Sequence, residues 1–542
     1  MMRRLAIPVL VASIAACAAG AEPAKGISAP AVAPAFTASA LGAAGREAHS
    51  APNVRKGKPS RNPPARRNAL LSGPDFTDEA TVAWALLDAS GDSLIEGKDP
   101  GRNLTPGSTV KLFTTWLALE TLGPEKTLST RLYRTGPLKD GVLQGDLIIQ
   151  GGGDPGFAGS LLGPAHQAEA IFRAWHEALA REGIRKVAGC VIGDGSYLEE
   201  DGPHPAGLWE DVGNYYAGTS SGLSFHDNLY ALSFDGAAAP DKPVKVIGVR
   251  PAHAGIARFD NRLVTGPPGS RDSAYILGGH PSPVRLLRGA YPAGRMPFSI
   301  KGSLPNPAWT CAREFRDYLA SRGIDFQNPD GPACGDSLAL PNRPAPVYAQ
   351  AKRVAAHESA PVKELVRVTN QRSDNNYAAQ LLALSGKASG RDGNFHGGLE
   401  AMREYFHRNA FVQEEIHLRD GTGLSRYNWV SPAQTAHLLS VAFRSKSRDA
   451  FRASLVGAPG SGKKLERYGS GWNGRLYVKT GTLEGVASLA GYLKADSGRW
   501  LAFAVIANNF SPRSGIGRDG SVVRGDPQKA FIPLLRRWAA SY

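Results

Sequence analysis

Ser108-Thr109-Val110-Lys111 places a serine and a lysine three residues apart at the head of an apolar run, a spacing that puts both side chains on one helix face. The run continues through Leu112, Phe113, Trp116, Leu117, Leu119 and Leu122 to Gly123-Pro124, which predicts an amphipathic helix with a glycine and proline stop. Ser108 is then expected at the helix start, where unpaired N–H groups and the positive end of the dipole favour an alkoxide and an incoming oxyanion. Lys111, one turn on, can reach the hydroxyl as its base. Chance alone produces a Ser-x-x-Lys tetrad roughly once or twice in a chain this long, so its meaning depends on what lies downstream.

Two further motifs lie there. Ser373-Asp374-Asn375 falls between the apolar run Leu365 to Val368 and the helical pattern Tyr377 to Leu384, on a connection whose side chains can enter a cleft. Lys479-Thr480-Gly481-Thr482 follows a short run of strand composition, Arg475 to Val478, and precedes another, Val486 to Leu493. In this order the three motifs are the set shared by penicillin-binding proteins and class A β-lactamases. From Lys111 to Ser373 is 262 residues, more than twice what small β-lactamases and simpler D-Ala-D-Ala carboxypeptidases carry between these motifs. The chain therefore resembles the peptidase S13 family, the D-alanyl-D-alanine carboxypeptidase/endopeptidases of the penicillin-binding-protein-4 type. Gly145-Asp146-Leu147 leading to Gly151 through Pro155, Gly193 through Ser196 with Trp209 and Tyr216, and Asp420 through Arg426 agree with it. The resemblance runs from about residue 75 to the C-terminus. One mild departure is Thr422, where the family more often has serine.

The resemblance implies an α/β (α+β) fold: a β-lactamase-like catalytic domain with an antiparallel sheet flanked by helices, and β-rich domains inserted between the first two motifs. Thr81 to Asp88 with Ser93 to Glu96 reads as a hairpin, as does Val486 to Leu493 with Trp500 to Ala507, and Pro527 to Ala540 reads as a terminal helix. In the family both chain ends join one sheet, which implies a discontinuous catalytic domain, 75–124 plus 346–542, around an insertion at 125–345 with a nested unit near 240–310. In such a site Ser108 attacks the penultimate D-alanine carbonyl and Lys111 accepts its proton, which requires desolvation or a second cation to lower the lysine pKa. Lys479 would be that cation and, with Thr480 and Thr482, would bind the substrate carboxylate. Ser373 would relay a proton, Asn375 would hold the substrate amide, and the N–H groups of Ser108 and Thr482 would form the oxyanion hole. Gly481 suits close approach of a ligand backbone. Arg426 reads first as a surface arginine and second as a binder of a stem-peptide carboxylate.

The 542 residues, 42% hydrophobic, suffice for two to four domains. Arg3-Arg4 followed by the apolar Leu5 to Ala16 reads as a signal peptide. Ile14-Ala15-Ala16-Cys17 resembles a bacterial lipobox, which would anchor the chain to a membrane through a lipidated Cys17, and Ala19-Gly20-Ala21 is the competing cleavage site; either way the product is expected to be exported to the periplasm. Residues 22–74, rich in Ala, Pro, Ser and Arg, read as a disordered tether. Residues 1–72 hold ten Lys or Arg against two Glu, so +8 of the net charge of +15 sits there. Nucleic acid is accordingly a poor partner, and attraction to anionic polymers or lipid headgroups competes with plain solubility as the role of this tail. Export permits disulfides, and Cys311 with Cys334 is the expected pair, leaving Cys190 as a buried free thiol.

None of the twelve histidines falls in a metal-binding spacing, so neither a zinc carboxypeptidase nor any cofactor is expected. The expected partners are peptidoglycan stem peptides, β-lactams as inhibitors, and a second copy of the chain as a candidate homodimer. A serine β-lactamase or esterase, and a non-catalytic wall- or β-lactam-binding protein, are the competing readings. The intact Ser108, Lys111, Ser373 and Lys479 argue against the second of these.

Overall fold

In the computed structural model, residues 80–199, 206–327 and 348–542 are described, apart from 218–219, 237–238, 271, 280–281, 295–297, 349, 460, 462, 511–513, 517–521 and 525. The signal peptide, Cys17, the tether and Cys334 lie outside them. Thr81–Asp88 and Leu94–Lys98 form the expected hairpin, and Val486–Lys494 with Trp500–Asn508 form the second. The two join because Thr81–Asp88 pairs antiparallel with Trp500–Asn508, from Thr81 opposite Asn508 to Asp88 opposite Leu501. Leu476–Leu483, carrying the Lys479 motif, closes the five-stranded antiparallel sheet at its far edge, with Lys479 opposite Ala490.

Alternation along these strands gives the sheet two unlike faces. One presents Ala83, Ala85, Ala490, Ala502 and Ala504 to the helix Pro432–Phe443, and the core they share continues through Lys111–Leu122, Val362–Arg372 and Asn375–Ala388. The other presents Trp84, Leu86, Leu489, Phe503 and Val505 to Phe531, Leu534, Leu535 and Trp538 of the C-terminal segment, where a short 3-10 turn, Pro527–Phe531, precedes the helix Ile532–Ser541. Small side chains on the first face let a helical layer pack close to the strands. Lys111–Leu122 departs from the amphipathic expectation, since every residue from Lys111 to Leu119 is buried. A helix enclosed by Val362–Arg372, Asn375–Ala388, Phe395–Arg408, Pro432–Phe443 and Arg448–Ala453 has no solvent face to keep polar.

Residues between Leu122 and Val362 build separate cores. Lys352–Glu358, Ser129–Arg134, Leu147–Gln150 and Val191–Asp194 form a four-stranded sheet covered by the helices Ala168–Arg181 and Pro307–Ser321. Two three-stranded sheets between Leu229 and Ser303 enclose a further core around Tyr230, Leu232, Tyr291 and Phe298. The cysteine expectation is overturned. Cys190 is disulfide-bonded and Cys311 is a free thiol. Cys311 projects from the inner face of Pro307–Ser321 into the core with Phe172, Trp175 and Phe315, where burial pushes its thiol pKa up. The helix turns this side chain inward, into the packed core. Among the described residues, no helix is long and apolar enough to cross a membrane.

Candidate active site

Ser108 lies in a single 3-10 turn, Gly107–Val110, running straight into the helix that begins at Lys111. Gly107 opens the turn at φ 56°, where glycine is unstrained, and a Cβ there would stand 3.1 Å from the Thr482 nitrogen, a second reason that glycine suits the position. Lys111 Nζ donates to Ser108 Oγ at 3.1 Å, to Asn375 Oδ1 at 2.5 Å and to the Thr422 carbonyl. The lysine is wholly buried. Desolvation lowers its pKa from 10.5 to about 8, against the upward pull of the Asp420 and Asp374 charges. A serine hydroxyl within hydrogen-bond reach of an amine whose pKa is lowered to about 8 meets the geometric and acid–base requirements of a nucleophile and its base.

The other motifs close on this pair from two sides. Ser373 ends the helix Val362–Arg372 in the left-handed conformation, φ 57°, and Asp374 caps the next helix by accepting from Tyr377 N at 3.0 Å. Short polar side chains that bond to nearby backbone are what such a break between helices needs. Ser373 Oγ accepts from Lys479 Nζ at 2.9 Å, and Lys479 Nζ also donates to the Thr480 carbonyl at 2.6 Å. Asn375, held by Lys111 at Oδ1, donates from Nδ2 to the Tyr216 carbonyl at 2.6 Å. On the edge strand, a Cβ on Gly481 would stand 2.3 Å from Ser488 Oγ, 2.4 Å from the Pro106 carbonyl and 2.9 Å from Ser108 N. Only glycine lets that strand press against the serine turn.

Residues 68–523 match the D-Ala-D-Ala carboxypeptidase 3 (S13) family. The chain belongs to that family. It is 28% identical over 457 residues to a D-alanyl-D-alanine carboxypeptidase of Actinomadura sp. strain R39, covering 82% of this chain and 80% of that one. With the D-alanyl-D-alanine carboxypeptidase DacB of Haemophilus influenzae it shares 24% over 418 residues, 74% of this chain and 80% of the relative. In structure it resembles penicillin-binding protein 4 of Haemophilus influenzae with a TM-score of 0.68 at 19% identity, over 86% of this chain and 98% of that one. The same protein complexed with a β-lactam gives 0.65 at 20% identity, over 85% and 96%.

In this S13 chain, Ser108, Lys111, Ser373, Asn375, Lys479, Gly481 and Thr482 come together, with Thr480 joining through its carbonyl and Thr482 exposed at the strand edge. Arg426 stands outside that hydrogen-bond chain. It is exposed, and its Nη1 donates to the Glu484 carbonyl at 2.8 Å, just beyond the edge strand. Three supporting residues were not assigned a role from sequence. Asp420 accepts from Thr422 N at 3.0 Å, Gly423 N at 2.7 Å, Ser425 N at 2.8 Å and Asn428 Nδ2 at 2.9 Å, which fixes the Thr422 carbonyl against Lys111. Its Asp-Gly-Thr-Gly setting was a readable signal for such a loop. The departure at Thr422 is benign, since the hydroxyl donates to Asp420 Oδ2 and accepts from Leu424 N, both within the means of serine. Gln528, which had no local motif, donates from Nε2 to the Gly481 carbonyl at 3.0 Å and Thr482 Oγ1 at 2.8 Å, and Tyr216, noted only among the residues that agree with the family, lends a backbone carbonyl. Among the described residues, no group of three or more His, Cys, Asp or Glu is placed to hold a metal ion.

Proposed function

We propose that this chain is a serine-type D-Ala-D-Ala carboxypeptidase/D,D-endopeptidase acting on peptidoglycan stem peptides through an acyl-enzyme on Ser108, and that penicillin inhibits it by acylating the same oxygen. The observation that carries the reading is Lys111 Nζ, buried and 3.1 Å from Ser108 Oγ, with its pKa brought down to about 8. Neutral Lys111 takes the Ser108 proton as Oγ attacks the carbonyl of the penultimate D-alanine, and the N–H groups of Ser108 and Thr482 receive the developing oxyanion. Lys479, Thr480 and Thr482 bind the terminal carboxylate, and Ser373, bonded to Lys479, passes a proton to the departing amine. Asn375 holds the substrate amide, Gly481 admits its backbone, and Arg426 is placed to meet a carboxylate further along the stem.

The separate cores support a catalytic unit made of both chain ends around an insertion. The pairing of Lys352–Glu358 with Ser129–Arg134 supports a return to the catalytic unit near residue 359 rather than 346. Export with a lipidated Cys17 fits a wall-facing enzyme, and Cys17→Ser should release such a protein from the membrane fraction. The deciding experiment is D-alanine release from a stem-peptide analogue, together with the intact mass after penicillin. Turnover blocked by penicillin, with an adduct that Ser108→Ala abolishes, is the expected result. Rapid repeated hydrolysis of penicillin without D-alanine release would make the chain a β-lactamase instead.

A further inference from the structure

His226, Asp227 and Asn228 are all left-handed, with φ of 52°, 55° and 58°. Three consecutive non-glycine residues in that region are costly and persist only where the surroundings over-determine them. The middle residue, Asp227, is 7% exposed, and its partners are hydroxyls and amides. Oδ2 accepts from Ser160 N at 2.9 Å and Ser160 Oγ at 3.0 Å, while Oδ1 accepts from Tyr377 Oη at 3.2 Å. Its backbone carbonyl accepts from Asn376 Nδ2 at 2.8 Å. Room for the carboxylate depends on Gly159, where a Cβ would stand 2.2 Å from Oδ1. Asn376 and Tyr377 directly follow Ser373-Asp374-Asn375 in the first turn of the Asn375–Ala388 helix, whereas Ser160 and Asp227 belong to the region between the first two motifs.

We infer that Asp227 is a positioning residue for acyl transfer, gripping from the inserted region the helix turn that aims Ser373 and Asn375. The inference rests on the proposed function, because it takes those two side chains to act on the substrate. The grip has two points on the helix, one on the Asn376 amide and one on the Tyr377 hydroxyl, and the left-handed backbone is what presents carbonyl and carboxylate together. Loosening it leaves Ser108, Lys111 and the carboxylate-binding strand in place and disturbs the side chains that guide the proton and the amide. A shift on the order of 1 Å in such groups can cost a hundredfold in rate.

The test is steady-state D-alanine release by the full chain. Asp227→Ala should lower kcat by about tenfold to a hundredfold with KM changed less than about twofold. Asp227→Asn, which can keep the acceptor towards Ser160 and the backbone conformation, should recover most of the loss. Should Asp227→Ala not fold, Asn376→Ala carries the same test, because it cuts only the helix end of the grip. A folded Asp227→Ala or Asn376→Ala with wild-type kcat, or one whose KM rises while kcat holds, overturns the inference. A wild-type chain that neither releases D-alanine nor is acylated by penicillin is a different result, and defeats the proposed function itself.

Discussion

Acylation of Ser108 should follow the neutral fraction of Lys111. With a pKa of about 8, that fraction is about one-tenth at pH 7, one-half at pH 8 and nine-tenths at pH 9. The second-order rate of penicillin acylation should therefore rise about fivefold from pH 7 to 8 and less than about twofold from 8 to 9. The same displacement from 10.5 bears on stability. At low pH both folded and unfolded chains hold the proton, and the folded one bears the cost of a buried charge; between pH 8 and 10.5 only the unfolded chain holds it, so stability from this group rises with pH across that window. The cost is about 3 kcal/mol, and a Lys111→Met variant should lose up to that much of its advantage over wild type between pH 7 and pH above 10, measured by urea unfolding. Lys111→Arg supplies the complementary perturbation, since a guanidinium keeps the charge but has no accessible neutral form. Stopped-flow acylation by a fluorescent penicillin should then fall by about two to four orders of magnitude. A flat acylation profile from pH 6.5 to 9 in wild type, or Lys111→Arg within about threefold of it, would refute Lys111 as the base.

Other outcomes are expected from the packing around the site. Asp420→Ala strips the acceptor from three backbone amides and Asn428, so unfolding free energy should drop by about 3 kcal/mol, and acylation should slow as the Thr422 carbonyl leaves Lys111. Gly481→Ala drives a methyl into Ser488 Oγ and the Pro106 carbonyl, and the purified variant should show no penicillin adduct by mass even where circular dichroism reports a folded chain. Gln528→Ala frees the Gly481 carbonyl and Thr482 hydroxyl, which should raise KM several-fold for a D-Ala-D-Ala peptide with less effect on kcat. Thiol labelling should leave Cys311 untouched until denaturant is added, and non-reducing peptide mapping should find Cys190 in a bridge.

The motifs and both hairpins were legible in sequence because each depends on local spacing: Ser108 to Lys111 is one turn, and Trp500 to Ala507 reads as a strand by its own composition. The long interval between Lys111 and Ser373 pointed correctly to an insertion. What escaped the sequence was decided by distant contacts. The apolar pattern after Lys111 looks one-sided on a helical wheel, yet Thr114 and Thr115 are buried because Thr114 donates to the Gly421 carbonyl and Thr115 to the Lys111 carbonyl. Cys311 misled because the face it occupies on its helix outweighs its distance in sequence from Cys334. Asp227 and Gln528 gave no signal at all, since their partners lie 67 to 150 and 46 to 47 residues away along the chain.

The pairing of Thr81–Asp88 with Trp500–Asn508 sets a schedule for the nascent chain. The strand made first must wait for one of the last, with the Thr105 amide meeting Asn508 Oδ1 across 403 residues. Within the region between Leu122 and Val362, Ser129–Arg134, Leu147–Gln150 and Val191–Asp194 pair with close partners and can form while synthesis continues, so the catalytic sheet closes around parts already built. Until then the apolar Thr81–Asp88 strand is an open edge, a template for mispairing. Chains truncated before residue 500 are therefore expected to accumulate with a folded middle, an unclosed sheet and no reactive serine. Dependence on chaperones should peak late in biogenesis, when nearly all of the polypeptide is made but the strand that seals it has yet to arrive.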